Sequence, residues 1–257
     1  MLSSFDEDDV ILNEELGRSI ATVASKILPP RCDFNGESYS VKCVSALQIP
    51  SSLTERFLEL LEKCIGNLYV KIKGAGWKSS KLEEMTDPAL VYFWCERDAE
   101  IAAFMSFRMV SEPYGQSLYL YEIHVDPRYQ GQSRGTQLIQ WFHLLAYSLN
   151  ELSRIREISS DLDNLCDNLR DQLQKNGCEI DSAQLICLSR LPQSIHFQSA
   201  GTGLTVFGEN AVAFRWYTSL GYLLSSQSPC DRLLRNGRVV RPEYYILYRP
   251  QELEVLR

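Results

Sequence analysis

Apolar residues along this chain change period several times, and the changes predict an order of elements. Leu12, Leu16, Ile20, Val23 and Ile27 recur at helical spacing over 12–28, and Pro29-Pro30 stops the helix. Residues 37–47 alternate loosely through Tyr39, Val41 and Val44, as a strand does. Ser52, with Glu55 three residues on, predicts the capped start of a second helix. Its apolar face continues through Phe57, Leu60, Leu61 and Ile65. A loop with Gly74, Gly76 and Trp77 leads to a charged segment at 78–87. Strands follow at 90–95, 101–110 and 118–125, in meander order, with turns at Arg97-Asp98 and Pro113-Tyr114-Gly115. A glycine-containing turn then opens a helix over about 134–149, with Leu138, Phe142, Leu145 and Leu149 on one face. Beyond a charged, helical-looking stretch come a strand at 204–207, a helix at 210–219 and a strand at 244–248. This order predicts an α+β fold around one mixed, mostly antiparallel sheet flanked by helices.

Composition narrows the classes. With 257 residues, 45% hydrophobic and 23% charged, the chain can bury a sizeable core. Its apolar stretches fall short of the roughly 20 residues of a membrane span, and the acidic first nine residues lack the pattern of a secretory signal. A formal charge of −7 argues against a general nucleic-acid binder. Eight cysteines without a CxxC pair, beside three histidines, predict no metal site and reduced thiols in the cytoplasm or nucleus.

The strand at 118–125 and the turn at 130–136 carry candidate chemistry. A glycine turn at a helix start points several backbone N–H groups at one spot, backed by the helix dipole, and so suits phosphate oxygens. Gly131 and Gly135 permit close approach, and Pro127 ends the strand. The same turn is also an ordinary strand-to-helix connection. Glu122 lies within an apolar and aromatic strand beside it, where desolvation is expected to raise its pKa towards that of a useful base. A solvent-facing glutamate, or one paired with Arg108, is the alternative.

Val125-x-Pro127-x-x-Gln130-Gly131-x-Ser133-x-Gly135-x-x-Leu138-Ile139 resembles motif A of the GNAT acetyltransferases, with Ser133 in place of a core glycine. Asn210-x-x-Ala213-Phe214-x-x-Tyr217-x-x-Leu220-Gly221-Tyr222, about 75 residues on, resembles the second signature of that family. The resemblance implies the GNAT fold and acetyl-CoA as co-substrate, without a metal. Backbone groups of Ile123, His124 and Val125 would hold the pantetheine. Gly131, Gln132, Ser133, Arg134, Gly135 and Thr136 would hold the phosphates. The Asn210 side chain would also reach the cofactor, and Asn210 is equally suited to capping its helix.

Further strings resemble the NatD type, which acetylates the N-termini of histone H4 and histone 2A. They include Gly76-Trp77-Lys78, Glu83-Glu84-Met85-Thr86-Asp87 and Leu118-Tyr119-Leu120-Tyr121-Glu122, and together they cover roughly 50–149 and 201–250. This resemblance implies direct attack in a ternary complex with Glu122 as general base, and a substrate channel lined by Glu112, Tyr121, Thr205 and Tyr244, with Trp77 at its entrance; a core position is the alternative for Trp77, Tyr121 and Tyr244. It departs at Val110, where an acid facing a substrate arginine is expected, at Ala75, and at a shortened Asn67-Leu68-Tyr69. Glu83 or Glu84 is a substitute for the missing acid. Other readings are a GNAT acting on a lysine or small amine, and a cofactor-binding module without catalysis. The expected organisation is an N-terminal helical extension (1–48), a domain over 49–250 with a helical insertion at 150–200, and a tail, as a monomer binding neither membrane nor nucleic acid.

Overall fold

The computed structural model describes residues 7–112, 115–157 and 199–251, in which strands β1 (Arg31–Phe34), β2 (Glu37–Ser45), β3 (Val91–Arg97), β4 (Glu100–Glu112), β5 (Gly115–Val125), β6 (Ser199–Phe207), β7 (Leu223–Leu224) and β10 (Tyr244–Pro250) build one sheet. Their order is β1-β2-β3-β4-β5-β6-β10-β7, with β8 (Arg232–Leu233) and β9 (Val239–Val240) forming a separate hairpin. All neighbours in the sheet are antiparallel except β5 and β6. The expected insertion lies almost wholly outside the described residues, as do Pro113 and Tyr114 of the β4–β5 turn.

Helices α1 (Glu7–Ile27), α4 (Arg134–Glu157) and α5 (Ala211–Ser219) cover one face of the sheet. From α1, Ile20, Val23, Ala24 and Ile27 are fully buried against Phe93, Met105 and Phe107, so the 3.6-residue period seen in the sequence is the packed stripe. Helices α2 (Ser51–Lys73) and α3 (Trp77–Met85) cover the other face, where Phe57 stacks on Tyr92 and Phe104 at 5.2 and 4.7 Å. The capping box expected at Ser52 does not form. Helix α2 starts at Ser51, and the Pro50 carbonyl accepts from Leu53 and Thr54 while no side chain caps the end. Helix α3 replaces what the sequence offered only as a charged segment.

Two irregularities in β5 position the site. Ser106 pairs with Glu122 but Phe107 pairs with Leu120, so Tyr121 is an extra residue, a β-bulge. Before the bulge Leu118 and Leu120 face the α1/α4 core; after it Ile123 and Val125 do. The slip keeps Tyr119, Tyr121, Glu122 and His124 together on the α2/α3 face, whereas strict alternation would turn Glu122 into the apolar core. The parallel pairing of β5 with β6 runs from Gln116 only to Leu120↔Leu204, and β6 then continues to Phe207 alongside β10. The two strands therefore splay apart beyond Leu120.

Candidate active site

The splay opens a cleft of about 1200 Å³ whose wall includes backbone of 121–125 that, among the described residues, has no strand partner on the β6 side. At one end stands the turn. Gly131 has φ +74° and Ser133 φ +60°, and the first helical bond of α4 runs from Gln137 N–H to the Ser133 carbonyl at 3.0 Å. The N–H groups of Arg134, Gly135 and Thr136 precede that bond and have no acceptor within the helix, which is the arrangement that takes an anion. A side chain on Gly135 would place its Cβ 3.1 Å from the Trp216 ring, so glycine there lets α4 and α5 approach, with Trp216 donating to Thr136 Oγ1 at 3.3 Å. Asn210 caps α5, its Oδ1 accepting from Ala213 N–H at 3.1 Å, and the residue lines the cleft. Gln130 donates to the Val125 carbonyl at 2.8 Å, tying the turn to the strand end.

At the other end Glu122 is 7% exposed. One of its oxygens, Oε1, accepts from the Lys81 ammonium and from the Tyr69 hydroxyl at 3.3 Å; Oε2 lies 2.6 Å from His124 Nε2. Burial pushes the carboxyl up, but Lys81 and His124 together outweigh it and hold the group down to about 2. The expectation of a raised pKa is thus overturned. Desolvation is present, and a buried cation answers it. Arg108 is not that cation: it pairs with Asp87, 5.9 Å from the Tyr121 ring. Lys81 is itself 6% exposed and pairs also with Glu84 at the cleft wall. Tyr69 stacks on Trp77 at 4.5 Å and meets Phe207 of β6 edge-on at 5.0 Å, spanning the splay.

Residues 56–165 match the family model described as Acetyltransferase (GNAT) family. Over those residues the chain is similar to the GNAT acetyltransferases. The N-alpha-acetyltransferase 40 of Saccharomyces cerevisiae (strain ATCC 204508 / S288c) is 25% identical over 237 residues, spanning 80% of this chain and 69% of that protein. Among solved structures, PH1933 from Pyrococcus horikoshii OT3 is 12% identical over 83% of this chain and 100% of its own, with a TM-score of 0.46. A PaiA N-acetyltransferase from Thermoplasma acidophilum in complex with coenzyme A is 11% identical over 82% and 99%, with a TM-score of 0.43.

The cleft brings together Ile123, His124, Val125, Gly131, Ser133, Arg134, Gly135, Thr136 and Asn210 with Glu122, Tyr121, Thr205 and Tyr244. Gln132 stands outside the lining, exposed, with its amide 3.5 Å from the Arg128 carbonyl. Of the two positions open to Trp77, the structure has the core one: it is 5% exposed between α2 and α3, does not wall the entrance, and bears on the cleft through Tyr69. The side chain of Glu112 lies outside the described residues. Lys81 and the hydrogen-bonding role of His124 were not read from the sequence. A signal existed for each. Trp77, Lys81 and Met85, at i, i+4 and i+8, are all buried, and a lysine on such a stripe demands a carboxylate. The spacing Leu118, Leu120, Ile123, Val125 likewise marks the bulge that puts Glu122 and His124 on one face.

Proposed function

We propose that the domain transfers acetyl from acetyl-CoA to the α-amine at the N-terminus of proteins, with histone H4 and histone 2A as substrates. The observation that carries the reading is the continuity of one cleft from an anion-binding turn, past unpaired strand backbone, to a buried ionised carboxylate. The turn suits the pyrophosphate, and the splayed backbone suits the amides of the pantetheine arm. N–H groups on that strand edge would also polarise the thioester carbonyl. The amine adds directly to that carbonyl, and collapse of the tetrahedral intermediate expels the thiolate. Glu122, held ionised, stabilises the positive charge that grows on the attacking nitrogen. The Tyr217 phenol lines the same cleft and burial pushes its pKa up, so it stays protonated and can donate a hydrogen bond to the departing thiolate, which takes its proton from solvent.

Likeness to a yeast N-alpha-acetyltransferase supports a protein N-terminus as acceptor. A Ser-Gly-Arg-Gly start needs an acid for its arginine. With Val110 apolar, Glu84 and Glu243 are the acids on the cleft wall besides Glu122, among the described residues; Glu83, the other substitute considered, is not on it. Calorimetric titration with acetyl-CoA should show binding. A Ser-Gly-Arg-Gly peptide should be acetylated when its amine is free and not when it is blocked. Acetylation of only the blocked peptide, on lysine, would overturn the N-terminal reading.

A further inference from the structure

A carboxylate whose two oxygens already accept from Lys81, Tyr69 and His124 has little affinity for another proton, so the proton leaving the amine needs a different acceptor. His124 is placed to be one. It follows Glu122 by two residues on the same face of β5, lines the same cleft, and packs its ring 5.3 Å from Phe104. In the neutral tautomer that donates from Nε2 to Glu122, Nδ1 keeps a lone pair. We propose that His124 Nδ1 takes the proton from the attacking amine, with Glu122 acting as the positioning residue that fixes its tautomer. This rests on the acetyl-transfer reading above.

The balance is complete. The nitrogen lone pair forms the N–C bond as the carbonyl π pair moves to oxygen. That pair returns to re-form C=O as the C–S bond breaks, and its electrons leave on sulfur. The N–H proton passes to Nδ1, directly or through one water, while Nε2–H stays on Glu122. The imidazolium then loses its proton to solvent, and the thiolate takes one from solvent.

The test is steady-state turnover of the Ser-Gly-Arg-Gly peptide by wild type, His124→Gln and His124→Ala, with melting temperatures alongside. Both variants should lose about 100-fold or more in kcat with KM values for peptide and acetyl-CoA within about threefold. Imidazole should restore His124→Ala at least tenfold, which a purely structural role would not produce. A kcat within about threefold of wild type in a folded variant overturns the proposal, as does an impaired, folded His124→Ala that imidazole cannot rescue. If neither variant folds, the ¹⁵N shifts of histidine in the wild type decide: a proton on Nε2 and none on Nδ1 is expected, and the reverse overturns it. A wild type that ignores the peptide but acetylates another amine overturns the acceptor alone, and the same variants, assayed on that amine, judge His124.

Discussion

At the turn end of the cleft the anion-binding donors are chiefly backbone N–H groups between Gly131 and Thr136, with Arg134 and Asn210 beside them; at the other end the polar groups are side chains of Tyr69, Lys81, Glu122 and His124 from three separate elements. The first arrangement needs only that the chain turn correctly and tolerates most changes of side chain. The second is a buried charge network in which each member fixes the others, so one removal leaves an unanswered charge. Changes at the acceptor end should therefore be costly, and changes at the turn small.

Lys81→Met is the largest break. It leaves Glu122 buried beside His124 and Tyr69 without its ammonium, a loss of about 3–5 kcal/mol when one partner of a buried pair is removed. In a domain of this size the melting temperature should fall by roughly 10 °C. Adding Glu122→Gln to Lys81→Met should recover most of the loss. A single variant that melts within about 2 °C of wild type would mean that the network is not coupled as described.

The difference between the two ends also decided what could be read beforehand. Glycine, proline and asparagine at 127, 131, 135 and 210 announce backbone conformation locally, and the strand, turn and helix formed there. The α1 stripe and the meander were legible for the same reason, since period and turn residues are local. Helix α3 was not, because its inward face reads Trp77-Lys81-Met85 with a cation where an apolar residue is expected. The tetrad at Glu122 depends on contacts across 41 residues to Lys81 and 53 to Tyr69, which no local pattern encodes. Even strand β1 escaped notice, although Arg31-Cys32-Asp33-Phe34 alternates exposed and buried and Asn35-Gly36, with φ of 52° and 80°, makes the hairpin turn.

Acid should expose the same network without a mutation at Lys81. Glu122 has its folded pKa lowered from 4.5 to about 2, so it contributes stability at pH values above the unfolded pKa and loses it as the pH falls from about 4.5 to about 2. A difference of that size corresponds to about 3 kcal/mol. Urea unfolding of wild type and Glu122→Gln between pH 6 and pH 3 should show the wild type losing stability more steeply. Parallel curves would mean that the carboxylate is no better held in the folded state than in the unfolded one.

Asn210 tests whether the turn end is as purely backbone-made as it looks. Asn210→Asp keeps an oxygen to cap Ala213 N–H but removes the amide donor, so melting should be unchanged while acetyl-CoA binds about tenfold more weakly, about 1.4 kcal/mol. Asn210→Ala should add a stability loss of about 1 kcal/mol. An aspartate variant with wild-type affinity would leave Asn210 as a cap and nothing more.

Ser133 offers the smallest effect and the finest discrimination. At φ +60° a serine sits in the left-handed region, which costs a residue with a side chain about 1–2 kcal/mol. Ser133→Gly relieves that strain but gives the unfolded chain more freedom, offsetting about 0.5–1 kcal/mol. The net should be a gain of about 0.5 kcal/mol, a rise of one or two degrees in melting temperature. Binding separates two roles. If only the backbone meets the phosphates, the glycine variant binds acetyl-CoA as the wild type does; if the hydroxyl also touches them, affinity falls while stability rises. Ser133→Val, β-branched where φ must be positive, should lose on both measures, because the turn can keep its donors aimed only by keeping that φ.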